Sequence, residues 1–182
     1  YLSIIILIYT IFVLFFFNDV IIFGNTFASG DSFNPYAIHH ILDQIRLASS
    51  EWPQWQPWIF SGMPTLEAFT YVNLLYLPSY FLDLLGVSDL NIQFMHLVFS
   101  AVSMFYLVQK LIQNKKIAFI SGLLWMLNPF LITMIVYGHG SQMMTAAFFP
   151  ITLLLLLRLK DEQSIFNMLS VSYTHLTLPT SR

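Results

Sequence analysis

Residues 90–112, with the sequence LNIQFMHLVFSAVSMFYLVQKLI, contain one charged side chain, Lys110, near the C-terminal end. As an α-helix these 23 residues extend about 34 Å, which exceeds the roughly 30 Å hydrocarbon core of a bilayer. Ser88 or Asp89 can cap the N-terminal end by accepting backbone N–H bonds. The segment therefore predicts a membrane-spanning helix, and it decides the fold class.

On either side of this segment, three other apolar stretches predict spans: residues 1–23, 117–137 and 142–157. Two of them contain a proline, Pro129 and Pro150, which removes a backbone donor and bends a helix. We expect an all-α integral membrane protein of about four spans, with residues 24–89 as a long loop. A cleaved signal peptide is the alternative for the first stretch, although no small-residue cleavage pattern precedes Gly24.

The composition agrees with this fold class. Of 182 residues, 57% are apolar and 16 are charged (7 Lys+Arg and 9 Asp+Glu), whereas a soluble domain of this length carries about 45 charged residues. The basic residues are scattered along the sequence, which argues against nucleic-acid binding. Since the sequence has no cysteine, it has neither a disulfide scaffold nor a cysteine-based metal site.

The basic residues are distributed unevenly between the two sides of the predicted bundle. Arg46 is the only one in the proposed outer segments, whereas the proposed inner loops hold five: Lys110, Lys115, Lys116, Arg158 and Lys160. Short loops rich in Lys and Arg remain on the cytoplasmic side. This asymmetry predicts that residues 24–89 and the turn 138–141 face outside, and that residues 113–116 face the cytoplasm.

The two ends of the sequence suggest a fragment. The chain begins at Tyr1 within an apolar run, and residues 171–180, VSYTHLTLPT, are similar to one reading frame of a transposase adapter used in sequencing libraries. We expect residues 171–182 to be a non-native tail, with a natural polar tail as the alternative.

The long outer loop contains a predicted amphipathic helix that starts at Asn34 and Pro35. The residues that follow place an apolar stripe on one face, with Ile38, Ile41, Leu42 and Ile45, and a polar stripe on the other, with His39, His40 and Asp43. Such a helix lies along a membrane surface with its apolar face buried. Residues 72–85 predict a second, shorter helix of this kind.

Residues 51–64 follow the first of these helices and alternate tryptophan with proline in the sequence EWPQWQPWIFSGMP. Prolines at this density prevent a regular helix and favour an extended path. Gly62 predicts a tight turn with a positive φ. Two interpretations of Trp52, Trp55 and Trp58 remain open, as anchors at the membrane interface or as a wall on which sugar rings or a lipid chain stack.

This block resembles the YfhO family of bacterial membrane proteins, which has a Gly-Asp pair after the first span and a Pro-Leu-Trp-Asn-Pro…Phe-Gly-Gly-Met-Pro signature. Here the pair is Gly30-Asp31, and the signature corresponds to WPQWQPWIFSGMP. Gln54 and Gln56 depart from the family's Leu and Asn. The resemblance covers nearly all of residues 1–170 and continues at these further positions: His96, Tyr106, Asn128, Pro129, 138–141 and Pro150.

The resemblance implies a multi-span glycosyltransferase of the GT-C type. Such an enzyme uses a polyprenyl-phosphate-linked sugar and glycosylates an envelope polymer on the outer face of the bacterial cytoplasmic membrane. The family places an acidic residue of the first outer loop at the active site, and Asp31 matches it by position. A carboxylate there orients a sugar hydroxyl and accepts its proton. The alternative is that Asp31 only caps a turn with Ser32.

The phosphate of the leaving lipid requires a cationic or N–H-rich partner. The outer segments offer Arg46, His39, His40 and His139 for that role. His39 and Asp43, spaced i and i+4, are too few ligands for a metal site, so we expect neither a metal nor another cofactor.

Two other classes of function remain open. A non-catalytic transporter or lipid-handling protein also places bent spans and polar residues around a lipid path. An envelope scaffold would bind a partner through its aromatic outer segment, and Asp31 would then be dispensable. The sequence has no internal repeat, and its ionisable residues concentrate outside the predicted spans, which favours chemistry at the membrane surface.

The charge asymmetry predicts the membrane topology. Because the sequence has no native cysteine, single cysteines report their side directly. We expect Ser50→Cys to react with a membrane-impermeant maleimide added from outside, and Asn114→Cys to react only after the membrane is permeabilised. Labelling of position 114 together with protection of position 50 would contradict this topology.

Overall fold

The computed structural model describes residues 2–51, 53–58, 60–65 and 77–161, without the side chains of residues 30–36, 39, 79, 80, 83 and 161. Three features predicted from the sequence therefore lie outside the described residues, wholly or in part: Trp52, the first part of the second interfacial helix (72–76) and the tail 171–182.

Helices make up most of the described chain, and one small hairpin interrupts them. In chain order the elements are α1 (Leu2–Phe16), α2 (Asn18–Ile21), α3 (Gly30–Ser49), β1 (Trp55–Gln56), β2 (Met63–Pro64), α4 (Leu77–Leu84), α5 (Asp89–Ile112), α6 (Lys115–Met126), α7 (Pro129–Val136), α8 (Gly140–Ala147) and α9 (Phe149–Asp161).

The central helix of the bundle is α5, against which α1, α6, α8 and α9 all pack. The Ser88 hydroxyl caps its N-terminus by accepting the Asn91 amide at 3.4 Å. Gln113 ends it in a left-handed conformation, with φ 58°. The helix predicted at residues 90–112 is thus confirmed as Asp89–Ile112.

Three helical segments of the described chain are long and apolar enough to cross a membrane: Asp89–Ile112, Lys115–Val136 and Gly140–Lys160. They correspond to three of the four predicted spans, and they agree with an all-α membrane protein. The first predicted stretch contains the 15-residue apolar helix α1, a break at Phe17 and the short helix α2. The count of four spans stays a prediction.

The segment Lys115–Val136 is interrupted at the point where Pro129 predicted a bend. The helix α6 ends at Met126 and α7 begins at Pro129, where the missing amide of proline needs no helical partner. The Asn128 side chain caps α7 by accepting the Phe130 amide at 2.9 Å.

The segment Gly140–Lys160 is interrupted at Phe148, two residues before Pro150. This break lies beside the break between α6 and α7, because the rings of Trp125 and Phe149 stack with centroids 6.0 Å apart. Both bends predicted from proline are therefore confirmed as breaks between consecutive helices.

Three helices, α1, α5 and α6, approach one another closely around Gly122. A Cβ atom on Gly122 would lie 2.6 Å from the carbonyl oxygen of Ala101 and would collide with the hydroxyl of Tyr9. That hydroxyl donates to the carbonyl of Phe119 at 2.9 Å, and the two rings stack with centroids 5.2 Å apart. Tyr9 and Ala101 are fully buried. Small residues allow close helix packing of this kind in membranes.

The helices define two ends of the bundle. At the first, which we call the loop end, α1 finishes beside the start of α5, with the Phe17 and Phe94 rings 4.6 Å apart. Gly140 at the start of α8 lies there too, directly against the Gln93 side chain. The segment 24–88 and the turn between α7 and α8 emerge at this end.

The opposite end, which we call the basic end, carries Lys110, Lys115, Lys116, Arg158 and Lys160. The long loop and these five basic residues thus lie at opposite ends of the bundle, as the predicted topology requires. Which end faces outside stays a prediction.

The amphipathic helix of the long loop begins earlier than the sequence predicts. It starts at Gly30 rather than at Asn34, so the prediction that Asn34 caps it is wrong. Pro35 lies in the second turn, where its missing amide removes one bond, to the carbonyl of residue 31. Its ring also crowds that carbonyl, so proline is less favourable here than at the first helical position.

The protein itself covers part of the apolar face of this helix. Ile38 and Leu42 are buried, whereas Ile41 is 40% exposed. His40 and Asp43 are exposed, which confirms the polar face.

We expect Gly122→Val to destabilise the bundle by about 1–3 kcal/mol, because the larger side chain must push α6 away from Ala101 and Tyr9. The measurement is the thermal unfolding midpoint of the detergent-solubilised protein. Leu124→Val, on the exposed face of the same helix, is the control. Equal midpoints for the two variants would contradict the close packing at Gly122.

Candidate functional site

Three aromatic rings attach the start of the long loop to the loop end of the bundle. Phe17 packs on Phe94 of α5 with centroids 4.6 Å apart, and edge-to-face on Phe27 with centroids 6.3 Å apart. Tilted and T-shaped pairs at such distances are favourable for aromatic rings. The chain between α2 and α3 is therefore held against the bundle.

Asp31, the predicted catalytic residue, lies four residues after Phe27, in the first turn of α3. At about 3.6 Å per residue or less, its Cα lies within about 14 Å of the Phe27 Cα, near the loop end. Its side chain, like that of His39, lies outside the described residues. The backbone of Asp31 and Ser32 is helical, and whether Asp31 has a catalytic or only a capping role stays a prediction.

An apolar groove of about 520 Å³ lies between α1 and α5. Its walls include Ile6, Thr10 and Leu14 of α1 and Met95, Val98 and Val102 of α5. The Thr10 hydroxyl donates to the carbonyl of Ile6 at 2.8 Å, so its hydrogen bond is made within its own helix. Because Ile6, Leu14 and Met95 are each more than a third exposed, the groove opens sideways from the bundle.

The groove reaches the loop end, where Ile21 and Asn91 line it. Measured along α1 and α2, the 15 residues from Ile6 to Ile21 correspond to about 22 Å. No local pattern in the sequence predicts this groove, because the groove forms where two helices from distant parts of the chain pack together.

His139 lies at the same end, in the turn between α7 and α8. Its amide donates to the Met134 carbonyl at 2.7 Å, and its carbonyl accepts the Met143 amide at 3.1 Å. The adjacent Gly140 has no room for a side chain beside Gln93. The fold therefore brings His139 and the start of α3 to the end of the bundle where the groove opens.

The other predicted polar residues are spread along α3. Arg46 lies 15 residues after Asp31, about 22 Å along the helix, so the two side chains cannot contact one small group. Arg46 forms an ion pair with Asp43 at 3.9 Å, and His40 hydrogen-bonds Gln44 at 3.0 Å. No three His, Asp or Glu side chains come together as a metal site would require, among the described residues.

The Trp/Pro block folds into a small antiparallel hairpin, in which Trp55 pairs with Pro64 and Gln56 with Met63. Gly62 has φ +109°, which confirms the predicted positive φ. A Cβ atom on Gly62 would lie 2.6 Å from the Trp55 indole. The missing side chain therefore lets the Trp55 ring lie directly against the turn.

The hairpin presents aromatic rings outward. Trp55, Trp58 and Phe60 are each more than half exposed. Exposed rings fit both interpretations of the tryptophans, because an interfacial anchor and a sugar-stacking wall each need an accessible aromatic face.

Gln56 is a polar residue whose environment the sequence analysis missed. Its side chain is fully buried, and neither its amide nitrogen nor its amide oxygen has a hydrogen-bond partner in the described part of the chain. An unpaired buried amide costs about 1–3 kcal/mol. Successive side chains of a strand point to opposite faces, so Gln56 lies on the face opposite to Trp55. This alternation is the feature of the sequence that could have predicted its burial.

No family model, curated protein or solved structure matches the sequence. The resemblance to the YfhO family depends on the motif residues alone, and it stays a prediction.

We expect Gly62→Ala to loosen the hairpin, because the methyl group meets the Trp55 indole and a φ of +109° is strained for a residue with a side chain. Hydrogen exchange of the Thr65 amide, which donates to the Gln54 carbonyl at 3.0 Å, should accelerate by about 10-fold. Gly24→Ala is the control, since it replaces a glycine of φ +70° that has no atom within 4 Å. An unchanged rate in Gly62→Ala would contradict the contact.

Proposed function

We propose that this chain is part of a membrane glycosyltransferase that transfers a sugar from a polyprenyl phosphate to a cell-envelope polymer, on the outer face of the bacterial cytoplasmic membrane. The observation that carries the proposal is the apolar groove between α1 and α5, which ends near the loop that leads to Asp31. The motif resemblance to the YfhO family supports the same assignment.

The groove suits the lipid part of such a donor. Its walls are almost entirely apolar, and it follows the helices for about 22 Å. Lipid tails are as apolar as these walls, so burial alone does not select a ligand within a membrane. Selection would come from the shape of the groove and from polar contacts of the phosphate at the loop end, where Asn91 lies.

The transfer step would use Asp31 as the general base. The oxygen of the acceptor hydroxyl forms a bond to the anomeric carbon, and the bond from that carbon to the phosphate oxygen breaks. The lipid phosphate leaves with the electron pair, and the Asp31 carboxylate takes the proton of the hydroxyl. His139, at the same end of the bundle, would donate an N–H to the leaving phosphate.

The length of α3 suits a long acceptor. Arg46 is about 22 Å from Asp31 along the helix, so we assign Arg46 to the acceptor rather than to the donor phosphate. His39 and His40 lie between them and would contact the same polymer. The hairpin adds the exposed rings of Trp55 and Trp58, on which sugars would stack. We assign the same role to Trp52, which lies outside the described residues.

The test is sugar transfer by the full-length protein in lipid nanodiscs, from a labelled polyprenyl-phosphate sugar to an envelope acceptor. We expect Asp31→Asn to slow transfer by about 10² to 10⁴, or on the order of 3–5 kcal/mol of barrier, because the amide cannot take the proton. Asp43→Asn, an exposed carboxylate of the same helix, is the control. Equal turnover in wild type and Asp31→Asn would eliminate the proposed base.

Donor binding, measured in the same nanodiscs, separates the enzyme from the lipid-handling alternative. Asp31→Asn should bind the donor as wild type does, whereas Val98→Trp should weaken binding by filling the groove. Leu124→Trp, on an exposed face of α6, is the control for the added indole. Donor binding without transfer in wild type would favour the lipid-handling protein over the enzyme.

A further inference from the structure

Five basic side chains from distant parts of the sequence come together at the basic end of the bundle. Lys110 lies in the last turn of α5, Lys115 and Lys116 open α6, and Arg158 and Lys160 lie in the last turn of α9. All five are exposed. Residues that are scattered in the sequence thus form one charged surface in the fold.

The backbone fixes the lysines around the turn between α5 and α6. The Gln113 amide donates to the Gln109 carbonyl at 3.0 Å and ends α5. The Asn114 side chain accepts the amides of Lys116, at 3.0 Å, and Ile117, at 3.3 Å, and starts α6. The two helices are therefore joined by a turn of two residues, and Lys110 lies close to Lys115 and Lys116.

The helix α9 brings its basic residues to the same level. It runs parallel to α5, because the α8–α9 segment starts at the loop end beside Gln93. Phe148, just before α9, packs on Phe99 of α5 with centroids 5.1 Å apart. Parallel helices rise equally per residue, so Lys160, 12 residues after Phe148, is level with the end of α5 near Lys110.

The charge of this surface calls for an anionic partner. In the sequence, residues 110–116 and 158–162 together carry five basic and two acidic side chains, a net charge of about three. Lys115 and Lys116 also lie in the first turn of α6, which has no acidic residue and where the helix dipole disfavours cations. The dipole of α6 therefore does not explain the position of these lysines.

We infer that the basic end binds the anionic headgroups of phospholipids in the leaflet that borders it. The ends of the membrane-spanning helices lie at the depth of the lipid phosphates. Lysine and arginine bind phosphate oxygens through charge-assisted hydrogen bonds. This binding is independent of the proposed function, because it takes place at the end of the bundle opposite to Asp31.

Lipid titration of the detergent-solubilised full chain tests the inference. Phosphatidylglycerol and phosphatidylcholine with the same acyl chains are compared, and bound lipid is measured by native mass spectrometry. One basic residue near an anionic surface strengthens binding about fivefold. We therefore expect Lys115→Gln/Lys116→Gln to weaken phosphatidylglycerol binding by about 25-fold and to leave phosphatidylcholine binding unchanged.

The double variant Lys115→Arg/Lys116→Arg keeps both charges and should keep the affinity for phosphatidylglycerol. Glutamine and arginine have helix propensities close to that of lysine, so all three forms should share one unfolding midpoint. Added salt should weaken phosphatidylglycerol binding in wild type. Equal affinity of wild type for the two lipids, or wild-type affinity for phosphatidylglycerol in the glutamine variant, would overturn the inference.

Discussion

The absence of a side chain at Gly122 sets the distance between the three helices on which the bundle is built. Membrane helices associate through close packing and hydrogen bonds, because lipid tails are as apolar as the helix surfaces. Gly122 allows the packing, and the hydroxyl of Tyr9, bonded to the Phe119 carbonyl, supplies the hydrogen bond. A hydroxyl without a partner is costly in an apolar environment, so this bond also fixes the rotation of α1 about its axis.

That rotation decides which residues of α1 face the bundle and which face the groove. Tyr9, Val13 and Phe17 recur every four residues and are buried in the core. Thr10 follows Tyr9 in the sequence and is thereby turned toward the gap beside α5. Since Thr10 and Val98 are smaller than leucine or phenylalanine, they leave space between α1 and α5. The groove is therefore a direct result of how α1 is held at Gly122.

The sequence was sufficient where local chemistry decides the structure. Ser88 caps α5 as its residue type requires, and long apolar runs form the long helices. The capping rule failed at Asn34 and Pro35, because the helix begins at Gly30 and continues through Pro35. At that position proline costs one backbone hydrogen bond without ending the helix. Asp31 and His139 lie at one end because successive helices reverse direction, which the count of spans predicts. The groove depends on contacts between distant segments, for which one sequence carries no local signal.

The helices α7 and α8, of eight residues each, pack against each other between the two breaks at residues 127–128 and 148. Each extends about 12 Å from the turn at His139, so both breaks lie at the same depth. The hydrogen bonds that stiffen a helix are interrupted at these points, and helices bend where that ladder is broken. The two breaks therefore lie side by side within the bundle, and the stacked rings of Trp125 and Phe149 join the two helical segments at that depth. The inner faces of α7 and α8 are buried in the core, so the interrupted backbone is stabilised by side-chain packing.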